Sequence, residues 1–203
     1  MINKKIKGSH ITNLTDARYF AAWGAEWLGF CVDTLSNNYM LPEEIIEIKD
    51  WIDGCKITLE FGIQDFNEIN ALVEKIKPQA IEIPIQSYHK DFESLDTEII
   101  LRIDSLDSIS SILINPNIYF LIAFSELQLT WDKIKVNTEL LNLLKSLAVQ
   151  VNLIVDLDFS KNNIKEIVEK IPFYAINLKG GEEEKVGLKS FDELDEILEV
   201  LEE

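Results

Sequence analysis

The sequence predicts an α/β fold, a compact (β/α)8 barrel, from three observations. Short runs rich in Ile, Val, Leu and Phe recur eight times, helical spacing fills most of the intervals, and a helix follows the last run. An open doubly wound sheet competes with the barrel at this stage, because counting strands does not reveal whether the sheet closes. The chain has 203 residues. Eight units then receive roughly 25 residues each, against about 31 in a barrel of typical size, so the connections must be short. No linker rich in Gly, Pro or Ser and no low-complexity tract interrupts the chain, and residues 1–203 read as one domain.

Taken in order, the first strand covers Lys4 to Lys7. A helix starts at Thr15-Asp16, a capping residue, and stops at Gly24. Trp27 to Val32 forms the second strand. Pro42-Glu43-Glu44 opens the second helix, with proline in the first turn and acids at the positive end of the dipole. Lys56 to Phe61 is the third strand, followed by a helix from Gln64 to Ile76 with Phe66, Ile69, Leu72, Val73 and Ile76 on one face. Ala80 to Ile85 and Glu98 to Asp104 are strands separated by Ser87 to Thr97, which has room for one helical turn. Ser105 to Leu113 is a short, serine-rich helix candidate. Ile118 to Phe124, Gln150 to Asp156 and Tyr174 to Lys179 complete the strands, with helices over Thr138 to Leu147, Ser160 to Ile171 and Ser190 to Leu201.

Composition narrows the function. Hydrophobic residues make up 47% and charged residues 27%, a globular balance that excludes disorder. No apolar run approaches the ~20 residues of a membrane-spanning helix. Thirty-six acids against 19 bases give a net charge of -17, which repels phosphate backbones and anionic lipid. Nucleic acid and membrane are therefore excluded as partners. Met1-Ile2-Asn3-Lys4-Lys5 lacks the apolar stretch of a secretory signal, and Cys31 and Cys55 are expected as reduced thiols in the cytoplasm.

Several motifs together resemble the phosphoribosylanthranilate isomerase family. Lys5-Ile6-Lys7-Gly8, Ile11-Thr12-Asn13-Leu14-Thr15-Asp16-Ala17, Gly24-Ala25 and Leu28-Gly29-Phe30 are similar to its opening strand, helix and second strand. Ser36-Asn37-Asn38-Tyr39 and Pro42-Glu43 resemble the following loop and helix start. Thr130-Trp131-Asp132, Asn177 to Glu183 and Val186-Gly187-Leu188-Lys189 resemble its later segments. The resemblance spans the chain and implies the eight-strand barrel. It also implies an Amadori rearrangement of a ribosylamine, which needs a general acid at the ring oxygen and a general base at the C2 proton.

The groups that the family uses for those proton transfers are replaced. Lys7 stands where the family has a cysteine. The strand that should end in an aspartate reads Phe120-Leu121-Ile122-Ala123-Phe124, with no carboxylate before Glu126. Asn38 occupies the place of the arginine expected to bind the anthranilate carboxylate. Acids in Val155-Asp156-Leu157-Asp158 replace a glycine pair, and Gly180-Gly181 alone keeps the backbone freedom of a phosphate loop. The expected partner is a small phosphorylated ligand or, for a barrel that no longer isomerises, a protein, with no cofactor and no metal, in a monomer or homodimer.

Alternation along barrel strands supplies the remaining candidates, since helix-facing positions must be apolar and polar ones turn into the lumen. Thr58, Asp104, Asn152 and Asn177 belong to this inward set. Lys7, Glu60, Glu82, Arg102, Asp156 and Lys179 give three positive and three negative charges that can pair. Two readings follow. In one, Lys7 is a base or Schiff-base amine with Asp156, Glu60, Glu82 or Glu126 moving protons, and Arg102, Asn38 and Gly180-Gly181 binding the ligand. In the other, the charges fill the mouth as a salt-bridge network, because Glu60 and Glu82 hold Lys7 protonated.

The other polar and aromatic residues fit structural roles. His10, just past the first strand, reads as a surface loop residue with facing the mouth as the alternative, His89 as solvated and Cys31 as a core thiol. Trp23, Trp27, Trp51 and Trp131 read as packing residues, and Glu182-Glu183-Glu184 as a solvated helix face. No dinucleotide or nucleotide-phosphate glycine motif is present.

Overall fold

The strands form where apolar side chains alternate or run together, and the structure closes them into a ring. The computed structural model describes residues 4–111, 117–124, 127–180, 183–185 and 188–202. The eight strands are β1 Lys5–Ser9, β2 Trp27–Cys31, β3 Lys56–Glu60, β4 Ala80–Pro84, β5 Glu98–Ile103, β6 Ile118–Ala123, β7 Asn152–Asp156 and β8 Ala175–Lys179. They pair in parallel in chain order, and β8 returns to β1 over five positions from Lys5↔Ala175 to Ser9↔Lys179. That last ladder decides for the barrel and against the open sheet.

Helices pack outside: α1 Leu14–Ala22, α2 Pro42–Lys49, α3 Phe66–Ile76, α4 Trp131–Val136, α5 Thr138–Gln150, α6 Ile164–Lys170 and α7 Asp192–Glu202. Their starts have local causes. Asn13 caps α1 by accepting from the Asp16 amide. Asp65 and Glu68 form a reciprocal capping box at α3, and Lys77 ends that helix with φ +53°. After β4 and β5 the described residues hold only 3₁₀ segments in place of α-helices: Ile85–Ser87 and Lys90–Ser94 after β4, and Leu106–Ser111 after β5. These short connections let the barrel close in 203 residues.

Two cores result. The larger lies between sheet and helices, and Gly8 admits α1 to it, since a Cβ there would stand 2.6 Å from the Phe20 ring. The smaller fills the lumen with Trp27, Ala80, Ile100, Leu121, Ile154 and Ala175. At the amino-terminal end of the barrel, Trp27 Nε1 donates to Glu98, and Lys56 pairs with Glu26 at 2.8 Å and Glu98 at 2.7 Å.

Four sequence expectations change. β1 runs on to Ser9, because its ladder with β8 continues past Lys7. An unexpected helix, α4, precedes α5, and the Asp158 carboxylate caps it by accepting from the Trp131 amide at 2.6 Å. Trp51 is 69% exposed and lies against the Arg18 guanidinium instead of packing inside. Glu183–Lys185 is no helix face but a short strand, β9, antiparallel to β10 (Leu188–Lys189); Glu182 lies outside the described residues. Among the described residues, no helix is long and apolar enough to cross a membrane.

Candidate functional site at the barrel mouth

Residues two apart on a strand share a face, so the polar positions of these strands meet inside the barrel. Lys7, paired in register with Asn177, projects into the lumen and is wholly buried. Its ammonium lies 2.5 Å from Ser9 Oγ, 2.5 Å from Glu60 Oε1 and 2.8 Å from Glu82 Oε2. An ammonium has three N–H donors, and these go to Ser9, Glu60 and, at 3.4 Å, Asn177 Oδ1, while Glu82 Oε2 meets it as an ion pair. Ser9 in turn donates to Asn177 Oδ1 at 2.6 Å. Gly29 makes room for the arrangement: a Cβ there would fall 1.9 Å from Glu60 Oε1.

Two further ion pairs join the ring. Arg102 Nη1 reaches Glu82 Oε1 at 3.2 Å and the Phe61 carbonyl at 3.3 Å. Lys179 meets Asp156 at 2.9 Å. Burial alone would favour neutral Lys7, but the charges and hydrogen bonds of Glu60 and Glu82 outweigh it and raise its pKa above the ordinary lysine value. Burial likewise works against ionised Glu60, yet the Lys7 ammonium draws its pKa down to about 2. Both groups are therefore charged at neutral pH.

Above these pairs lies a hollow of about 160 Å³ walled by Ser9, His10, Cys31, Glu60, Arg102 and Asp156, among others, with Leu121 and Ala123 on the β6 side. Lys7 does not line it. The hollow shares Asp156, Asn177 and Lys179 with a second one of about 690 Å³, which continues over Asp158, Phe159, Gly180, Asp192, Glu193 and Leu194.

Glu60, Glu82, Arg102, Asp156 and Lys179 thus converge at the mouth, while Lys7 sits one layer below because β1 is longer than expected. Asn38 borders neither hollow; its amide donates to Ser36 Oγ at 3.2 Å in the turn after β2. Gly180 borders the second hollow, but its N–H donates to the Ser9 carbonyl at 3.2 Å. Gly181 and Glu126 lie outside the described residues. Thr58 is buried deeper in the lumen, Asn152 opens β7 at the far end, and Asp104 accepts from Gln86 just beyond β5.

His10 is assigned by the structure to the mouth over the surface loop. It turns at φ +55° directly after β1 and lines the hollow rather than the outer surface. Cys31 also borders it, with burial pushing its thiol pKa up, the wrong direction for a nucleophile. The sequence reading missed Ser9, Asp33 and Ser36 at this wall. Continuing the Lys7 alternation by two residues would have found Ser9; nothing in the local pattern marks the other two.

A closed parallel barrel with its ionisable side chains gathered at the carboxyl ends of the strands defines a (β/α)8-barrel protein, with its candidate site on that face. Solved structures of phosphoribosylanthranilate isomerase share the fold. The enzyme from Thermotoga maritima matches with a TM-score of 0.76 and 16% identity over 98% of both chains. The Thermus thermophilus enzyme gives 0.73 and 19%, again over 98% of each chain. That of Pyrococcus furiosus gives 0.70 and 15%, over 98% of this chain and 99% of the other. At these identities the likeness is one of fold. No family model and no curated protein matches the sequence.

Proposed function

We propose that this protein is a phosphoribosylanthranilate isomerase-like barrel that does not catalyse the isomerisation and holds a small polar ligand at its mouth in the cytoplasm. One observation carries the reading: the Lys7 ammonium is wholly buried between Glu60 and Glu82, beneath the hollow and out of a substrate's reach. A general base must be unprotonated and within hydrogen-bond reach of the proton it takes. Lys7 is neither. At the end of β6, the methyl group of Ala123 offers no acid. Asp156, the substitute carboxylate, is tied to Lys179 at 2.9 Å.

Charge agrees with this reading, since the substrate of the isomerase carries a phosphate. The adjoining hollow carries Asp158, Asp192 and Glu193, which repel a phosphate.

The test is fluorescence-detected turnover of phosphoribosylanthranilate at high protein concentration, with growth of a tryptophan auxotroph lacking the isomerase as a second readout. The expected result is neither turnover nor rescue by a folded, well-expressed protein. Turnover abolished by Lys7→Ala or Asp156→Asn would overturn the proposal.

A further inference from the structure

We infer that the rim over β2 and β3 is a docking surface for a partner protein whose contacting segment alternates basic and aliphatic side chains. This goes beyond the reading of the mouth as a ligand site and does not depend on it.

The turns after these two strands are built as one unit. Gly62, just past β3, lies against Asp33, since a Cβ there would stand 3.3 Å from the Asp33 Cβ and overlap its carboxylate. Gln64 ties the two turns together. Its Oε1 accepts from the Gly62 amide at 2.7 Å, and its Nε2 donates to the Val32 carbonyl at 3.1 Å. Asp33 Oδ1 accepts from the Leu35 amide at 3.0 Å, and the Ser36 amide donates to the Asp33 carbonyl at 3.0 Å. Both turns are thus held in shape by their own hydrogen bonds, so a partner need not order them on binding.

What these turns present to water is apolar. Leu35 is 89% exposed and Ile63 92%, the two most exposed large hydrophobic side chains among the described residues. Leu41, at the start of α2, is half exposed. A single exposed aliphatic is ordinary; two on adjoining, tied turns beside a polar hollow form a patch that association would remove from water.

Charge selects the partner. Residues 31–48 and 61–74 carry these turns and most of the helices that follow, and they contain seven acids and no Lys, Arg or His. Lys75, just beyond, is taken by Glu43 at 2.6 Å. Asp33 forms no ion pair among the described residues. A second copy would bring the same acids and a net charge of -17, and anionic lipid or nucleic acid is repelled in the same way. A basic segment is attracted instead, and its aliphatic side chains cover Leu35 and Ile63.

Fluorescence anisotropy of the intact protein with short labelled peptides tests this: one alternating leucine and lysine, one leucine and glutamate, one glycine and lysine. The leucine–lysine peptide should bind at least about tenfold tighter than either control. Combining Leu35→Ser with Ile63→Ser should weaken it by roughly tenfold or more. Asp33→Asn, which keeps an acceptor for the Leu35 amide, should weaken it and flatten its salt dependence. Val136→Ser, at a comparably exposed aliphatic on α4, should change nothing, and circular dichroism confirms the fold of each variant. The inference is overturned if the leucine–lysine peptide shows no saturable binding up to roughly 1 mM, or if the glycine–lysine peptide binds equally well. It is also overturned if the double variant binds as tightly as the wild type, or if Val136→Ser weakens binding as much. A dimer in sedimentation that the double variant breaks would assign the surface to a second copy and overturn it too. Isomerase turnover defeats the function proposed above and leaves this inference standing.

Discussion

Lys7 shows how one side chain changes role with its surroundings. In water it would be a mobile cation; inside the barrel it neutralises two carboxylates that could not otherwise be buried together. Lys7→Met should therefore destabilise the protein by about 3–5 kcal/mol, because Glu60 and Glu82 lose their common partner. Adding Glu60→Leu should recover part of that loss, leaving Glu82 to Arg102. Urea unfolding midpoints of the wild type, the single variant and the double variant check this; equal midpoints for the first two would mean that Lys7 is not structurally committed. The inward-facing charged set was legible from alternation alone. The pairing of Lys7 with Glu60 and Glu82 was anticipated as well, but that of Lys179 with Asp156 and of Arg102 with Glu82 was not, since it depends on strand order.

At the scale of elements, β2 and β3 are fitted to each other through an absent side chain. Gly29 lies beside Glu60, and a methyl group at Gly29 would overlap its carboxylate. Gly29→Ala should cost about 1–3 kcal/mol by forcing that carboxylate off Lys7. In a Glu60→Ala background the same substitution should cost almost nothing, because the colliding oxygen is gone, and a double-mutant cycle measures the difference. The sequence marked Gly29 only through a family resemblance. Its physical reason lies on the neighbouring strand. β1 teaches the same lesson: periodicity places the strand, but its extension to Ser9 is set by the five-position ladder with β8. Similarly, the α4 cap comes from Asp158, 27 residues away, which no local reading of Trp131 suggests.

For the molecule as a whole, surface and interior charge respond to acid in opposite ways. The net charge of -17 repels itself at neutral pH, so mild acidification relieves repulsion and stabilises the fold. Glu60 works against this at lower pH. Its folded pKa of about 2 lies below the ordinary 4.5, so its stabilisation is complete above pH 4.5 and is lost as the pH falls toward 2. That contribution is about 3 kcal/mol. Stability measured by urea unfolding should accordingly peak on the acid side of neutrality and fall steeply below about pH 4.5, and Glu60→Gln should flatten the acid limb. A curve for Glu60→Gln parallel to that of the wild type would show that Glu60 does not titrate with unfolding.

The sequence by itself determined the strands, most of the helices and the class of residues that enter the lumen, because those follow from periods of two and 3.6 along a single segment. Only the tertiary structure decided that the sheet closes, that Lys7 lies beneath the mouth, and that Asn38 stands away from it. Closure brings residues from distant segments within hydrogen-bond range, and at that range desolvation and Coulomb attraction depend on angstroms that no one-dimensional pattern contains.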